Sequence, residues 1–254
     1  MSAGLLETLE ELAVGAGALT LELFGTNIAV EIKSDESPVT IADRRAEEFL
    51  RREIERRFPD DLVVGEEFGE SGSGRSGRRW ILDPIDGTKS FVRGVPIYGV
   101  MIGVEQDGRV IGGAINLPAL KELVVAEKGR GCWINGRRAC VSDVADPSRG
   151  LLLTTDVGNI YKYGHGGAWE RLCERMAFVR TWGDCYGYVL VATGRAEVML
   201  DPVMAVWDAA PLPVILSEAG GRFTDLSGVT RIDGGNGLAT NAALADVVRE
   251  IVAG

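Results

Sequence analysis

The stretch Asp83-Pro84-Ile85-Asp86-Gly87-Thr88-Lys89-Ser90-Phe91 constrains this chain more than any other. Two carboxylates stand three residues apart around a proline, and Gly-Thr follows at once. The short apolar run Arg79-Trp80-Ile81-Leu82 before them reads as a buried strand. Asp83 therefore falls where a strand ends, and Gly87-Thr88 opens the next turn. Carboxylate oxygens are hard ligands suited to Mg²⁺, which keeps part of its water shell and seldom takes protein ligands alone. Backbone N–H groups around a glycine can cradle a phosphate. Carboxylates, a hard cation and an anion cradle in so short a span point to metal-assisted phosphate chemistry. Asp and Gly are also common turn formers, so such a stretch taken alone is more often an ordinary loop than a metal site.

The charge balance narrows the partners. With 27 basic and 37 acidic side chains the formal net charge is −10. That weighs against nucleic acid, whose backbone is bound mainly through Lys and Arg, and against anchoring on an anionic membrane surface. A negative protein still binds a phosphate monoester when metal ions invert the local charge. The sequence has no run of about eighteen apolar residues that would span a bilayer. The four cysteines, Cys132, Cys140, Cys173 and Cys185, contain no C-x-x-C pair. With no signal peptide evident, free thiols and a cytoplasmic location are expected. The single histidine, His165, lies in Tyr163-Gly164-His165-Gly166-Gly167 and reads as a surface loop residue, since one His builds no typical zinc site.

The periodicities divide the chain into two regions packed as one unit, 1–146 and 147–254. In the first, helical spacing covers 3–24 and closes at Gly25. A strand at 28–32, a loop from Lys33 to Pro38 and a helix capped by Thr40 and reaching about Phe58 follow. Asp43 sits in that helix's first turn, where the dipole favours an acid. A short strand at 62–64 ends in Gly65-Glu66-Glu67, and Ser71 to Gly77 reads as a flexible loop. Strands over 96–104, 109–116 and 121–126 and a hairpin turning at Asn135-Gly136 complete a helical layer on an antiparallel sheet. The pattern changes around Asp146-Pro147-Ser148. Strands at 151–155, 178–182, 196–201 and 237–240 then alternate with helices at about 167–176, 185–194, 207–219 and 243–252. That is a mixed α/β pattern.

Glu66-Glu67 follows a strand end as Asp83 does, while Asp43 and Asp208 open helices. Each has a plain structural reading as a cap or first-turn acid. Together they make a convergent carboxylate pocket plausible, although periodicity alone cannot bring them to one place.

Gly65-Glu66-Glu67, Trp80 to Thr88, and Trp207-Asp208 with Glu218-Ala219-Gly220-Gly221 resemble the inositol monophosphatase family of Mg²⁺-dependent, lithium-sensitive phosphatases. The likeness spans nearly the whole chain, including Lys33, Pro38, Asp43, Gly131 to Gly136 and Ala239-Thr240-Asn241. It implies a five-layered α-β-α-β-α sandwich, usually a homodimer. By matching positions, Glu66, Asp83 and the Ile85 carbonyl would hold one Mg²⁺. Asp83, Asp86 and Asp208 would hold a second, with a weaker third ion near Glu66. Thr88, backed by Asp43, would orient the attacking water, Gly87 and Thr88 would bind phosphate through their N–H groups, and Glu67 and Lys33 would stand behind the ligands. The metals would neutralise the phosphate dianion and activate water, so no catalytic His or Cys is needed.

Within the family, Ser90-Phe91-Val92-Arg93-Gly94-Val95-Pro96 and Trp182-Gly183-Asp184 resemble the histidinol-phosphate phosphatase branch, while Cys185 and Tyr186 depart from its bulkier aromatic pair. Gly183, Asp184, Asp201 and Arg93 are the candidate substrate contacts. Inositol 1-phosphate remains the alternative substrate. A fructose-1,6-bisphosphatase, a 3′-phosphoadenosine or NADP phosphatase, and a non-catalytic metabolite-binding relative rank lower.

Overall fold

The computed structural model describes residues 4–33 and 38–254. Helix α1 (Leu5–Leu23) buries Leu9, Leu12, Ala13 and Ala16 along one stripe. A two-stranded ribbon follows, β1 (Val30–Ile32) antiparallel to β2 (Pro38–Thr40). Of the loop expected between them, Ser34 to Ser37 lie outside the described residues. Helix α2 (Ile41–Arg57) starts as expected at Thr40, whose hydroxyl accepts from the Ala42 N–H while the Asp43 carboxylate accepts from the Thr40 N–H.

The first sheet is built from β3 (Leu62–Gly65), β4 (Gly69–Gly72), β5 (Arg78–Asp86), β6 (Gly99–Gln106), β7 (Arg109–Leu117), β8 (Glu122–Glu127), β9 (Gly131–Ile134) and β10 (Arg137–Arg138). A one-turn helix, α3 (Thr88–Phe91), interrupts the series after β5. The spatial order is β10-β9-β8-β7-β6-β5-β3-β4. Three expectations change here. The sheet is not wholly antiparallel, because β3 and β5 run parallel with Gly65 opposite Leu82. The segment expected to be a loop from Ser71 begins inside β4, which pairs with β3 as a fully exposed edge and so shows no apolar pattern. Strand β5 continues past Asp83 to Asp86 through a register shift, the kind of bulge that re-aims side chains near active sites.

The second sheet has the order β12-β11-β13-β15-β14, from β11 (Leu151–Leu153), β12 (Phe178–Arg180), β13 (Val198–Asp201), β14 (Arg222–Thr224) and β15 (Gly237–Thr240). Helices α4 (Val157–Lys162), α5 (Gly166–Arg175), α6 (Asp184–Ala192), α7 (Val206–Ala209), α8 (Leu212–Glu218) and α9 (Ala245–Ala253) surround it. The single helix expected over about 207–219 is two, α7 and α8, separated at Ala210-Pro211 because proline offers no N–H to continue the first.

Among the described residues a small apolar core gathers Ala42, Ile85, Phe91 and Tyr98, and the three largest cores separate the layers. One joins α1 and α2 to the first sheet through Leu12, Leu50, Trp80 and Ile102. The largest fills the centre, where α6 and α8 lie between the sheets with Ile115, Val189, Leu212 and Met199. The third lies between the second sheet and α4, α5 and α9, around Leu152, Trp169, Leu200 and Val248. The fold is thus the α-β-α-β-α sandwich. The α7–α8 break rests on two glycines paired across β6 and β7. A Cβ on Gly103 would meet the Ala210 Cβ at 2.5 Å, and one on Gly113 the Pro211 Cα at 2.8 Å.

Candidate metal and substrate site

Parallel pairing of β3 and β5 brings their C-terminal ends to one edge, so Glu66 emerges beside Asp83. The Glu66 N–H donates to the Leu82 carbonyl at 3.2 Å, fixing that alignment. Beyond the bulge, Gly87 adopts φ 81 and turns the chain into α3, a conformation glycine takes without a Cβ penalty. Asp208 comes from the other region, on the α7 turn seated over Gly103. Its carboxylate accepts from the Ala205 N–H at 2.8 Å, the first-turn role expected of it. Oxygens of Asp83, Asp86 and Asp208 all lie within 4.8 Å of one another.

Such crowding is costly for charge. Loss of water pushes the Asp83 and Asp86 carboxyls well above the usual range, and neighbouring carboxylates push them further. Asp208 rises to about 7, chiefly through burial, against the pull of the Ala205 N–H. Buried like charges need protons or a cation. The clustered donors are all carboxylate oxygens, so the residues fit a hard divalent ion such as Mg²⁺ or Mn²⁺.

Glu66 meets a cation of the protein itself. Lys33 Nζ lies 2.6 Å from Glu66 Oε1 and 2.6 Å from Glu67 Oε1. Burial pulls the Lys33 ammonium down, but the two glutamates outweigh it and hold it above the ordinary lysine range. Asp43 Oδ2 accepts from both the N–H and the hydroxyl of Thr40, while its buried Oδ1 has no partner among the described residues. Burial lifts Asp43 to about 6. Thr88 Oγ1 donates to the Ile85 carbonyl at 3.0 Å. No direct bond joins Thr88 to Asp43 among the described residues.

A cavity of ≈ 80 Å³ adjoins the aspartates, lined by Asp86, Asp208, Asp184, Asp201, Tyr188 and Asn159 among others. Asp184 is the first residue of α6, with Gly183 as the cap, and takes the left-handed φ of 52. Gly183 is needed because a Cβ there would stand 2.3 Å from the Thr155 Cα. The Asp184 N–H donates to Thr155 Oγ1 at 2.8 Å, and the next N–H, of Cys185, donates to Asp86 Oδ2. Burial raises Asp184 to about 6, Asp201 adds to the rise, and Lys89 and Ser90 oppose it. Asp201 accepts from the Thr155 N–H at 2.9 Å and the Tyr188 hydroxyl at 3.0 Å, so it also braces the cavity wall. Arg93 is exposed beyond α3 and does not line this cavity. Thr155, Asn159, Tyr188 and Glu47 belong to none of the motifs visible in the sequence. For Glu47, the four-residue spacing from Asp43 on one helical face was the available signal.

The layered sandwich thus gathers buried carboxylate oxygens from both sheets' regions beside one small cavity. The chain belongs to the inositol monophosphatase family, whose model matches residues 2–252, and it is a phosphoric monoester hydrolase. The histidinol-phosphatase of Chlorobaculum parvum is 47% identical over 244 residues, covering 95% of this chain and 94% of that protein. The histidinol-phosphatase of Mycobacterium tuberculosis is 40% identical over 243 residues, with 93% of each chain covered. Among solved structures, the extragenic suppressor protein suhB from Bartonella henselae superposes with a TM-score of 0.91 at 26% identity, covering 98% of both chains. Among the described residues no helix is long and apolar enough to cross a membrane.

Proposed function

We propose that this protein is a Mg²⁺-dependent histidinol-phosphatase, acting as a cytoplasmic homodimer. The observation that carries the substrate is Asp184, a carboxylate lining the cavity beside Asp86 and Asp208. Histidinol phosphate bears an ammonium and a protonatable imidazole, and Asp184 and Asp201 are acids a cationic body can meet. The similarity to two histidinol-phosphatases supports the same substrate. Inositol 1-phosphate, the second reading, has no cationic group for either acid. The name of the matching family keeps it in view.

Glu66, Asp83 and the Ile85 carbonyl would hold one ion, and Asp83, Asp86 and Asp208 another. A third, weaker ion would sit near Glu66. When bound, divalent ions neutralise the phosphate, acidify the attacking water and stabilise the departing oxygen. The chain's own part is orientation. The Gly87 and Thr88 N–H groups would bind the phosphate, and the Thr88 hydroxyl would direct the water. The free Asp43 Oδ1 offers Thr88 an acceptor, while Gly183 lets Asp184 close against the cavity. Lys33 offsets part of the charge that Glu66 and Glu67 share.

Phosphate release from histidinol phosphate, inositol 1-phosphate, fructose 1,6-bisphosphate, adenosine 3′,5′-bisphosphate and NADP tests the assignment. Histidinol phosphate should have the highest kcat/KM. A higher value for inositol 1-phosphate would replace this reading with the second.

A further inference from the structure

Glu47 lies one turn after Asp43 on the buried face of α2, beside Ala46 and Leu50. None of the residue reaches solvent. Its Oε2 accepts the Glu67 N–H at 2.8 Å, and its Oε1 accepts the Phe68 N–H at 3.2 Å. Arg51 donates Nε to the same Oε1 at 2.8 Å, and its remaining nitrogens reach Ser71 Oγ at 2.7 Å and the Gly69 carbonyl. This ion pair therefore grips the β3–β4 turn from Glu67 to Ser71. A Cβ on Gly65 would lie 2.1 Å from Glu47 Oε1, so the residue before Glu66 must lack a side chain for the carboxylate to enter.

A buried ion pair is a poor way to stabilise a fold, since apolar residues of similar volume often do as well or better. What an apolar side chain cannot do is accept two adjacent backbone N–H groups and so fix the path of a turn. Glu66 is held from both sides by this arrangement. Its own N–H is tied to β5 through Leu82, and the next N–H is tied to α2 through Glu47. We infer that Glu47 is a positioning residue, which sets the Glu66 carboxylate against Asp83 for cation binding. The inference rests on the reading of Glu66 as a metal ligand.

Mn²⁺ binding to the whole protein, followed by the EPR signal of the free ion, tests it without turnover. Glu66→Gln should weaken one class of site. Glu47→Gln should weaken that same class by about 10–100-fold, as loss of a partner behind a ligand typically does. The half-saturating Mg²⁺ for turnover should rise in parallel, and the double variant should bind no more weakly than Glu66→Gln alone. Wild-type Mn²⁺ affinity in folded Glu47→Gln overturns the inference. So does an additive loss in the double variant, which would make Glu47 a general prop. Where Glu47→Gln does not fold, Glu47→Asp keeps the charge facing Arg51 but shortens its reach, and the same criteria apply. Wild-type binding by Glu66→Gln would instead remove Glu66 from the ligand set, and the inference with it.

Discussion

Lys33 holds its ammonium 2.6 Å from the Glu66 carboxylate, so a cation of the chain already stands at the proposed metal ligand. One ammonium offsets only part of the charge gathered by Glu66, Glu67, Asp83, Asp86 and Asp208. Without divalent ions such a site repels a phosphate dianion. Phosphate release should therefore require added Mg²⁺, with Mn²⁺ able to replace it, and should stop in excess EDTA. Undiminished turnover under chelation would refute the metal dependence. Millimolar Li⁺ should inhibit, as the family resemblance implies.

Asp83→Asn should cost more activity than Asp43→Asn. Asp83 stands at the centre of the cluster, pushed up by burial and then by Glu66, Asp86, Asp208 and Asp43 together. Asp43 spends Oδ2 on the Thr40 cap, and an asparagine oxygen can keep that bond. A group acting behind the reacting atoms typically costs about 10–100-fold, and Asp83 should exceed that range. The check is kcat/KM for both variants beside circular dichroism. A folded Asp83→Asn with most of its turnover would refute the assignment.

The metal-free protein should lose stability as the pH rises. Asp208 moves from 3.8 to about 7, and Asp43 and Asp184 from 3.8 to about 6. Each acid binds its proton more tightly folded than unfolded, so unfolding releases protons across this window. The stability is fully present below pH ~4 and drains away as the pH passes about 6 and then 7. Melting temperatures in EDTA should fall from pH 5 to pH 8. Added Mg²⁺ should raise them most at pH 8, where the carboxylates are charged. A flat profile in EDTA would show that the cluster is not strained by its own charge.

Much of this site was legible in order but not in space. The bounds of α2, the Thr40 cap and the acids of the Asp83 to Thr88 stretch follow from capping chemistry and apolar runs. The parallel pairing of β3 with β5 does not, because partner choice is tertiary and the strands carry no mark of it. Gly69-Glu70-Ser71-Gly72 hid a strand because an exposed edge needs no apolar alternation. Pro211 hid the α7–α8 break because proline also fits the first turn of a helix. Glu47 was hidden among the charges of α2, where an acid near arginines reads as a solvated face. Its role depends on a turn twenty residues away.

Gly103→Ala should damage both stability and the site. Its Cβ would press on Ala210 at 2.5 Å, with the Ala210 backbone carbon at 2.7 Å, so no flexible side chain can yield. Overpacking of this kind typically costs about 1–3 kcal/mol. The displaced element is the turn that carries Asp208, so Mn²⁺ affinity should fall along with the melting temperature. A loss of stability with unchanged Mn²⁺ binding would mean that the turn does not set the position of Asp208.

Asp184→Asn should separate substrates. Asparagine is among the few side chains that tolerate the left-handed φ of 52 found at this position, so the variant changes charge with little backbone strain. Loss of one partner from a buried charge pair typically costs ~2–5 kcal/mol, with the lower end expected in a partly solvated cavity. KM for histidinol phosphate should therefore rise by roughly tenfold or more, at about 1.4 kcal/mol per decade. p-Nitrophenyl phosphate has no cationic body for Asp184 to meet, and its kcat/KM should change far less. Asp184 is also the leading neighbouring charge that pushes Asp86 upward, so the half-saturating Mg²⁺ has to be measured in the same variant. A selective loss on histidinol phosphate at saturating Mg²⁺ assigns Asp184 to the substrate. Equal losses on both esters would assign it to the metal cluster or the fold, and the case for a cationic substrate would lose its main residue.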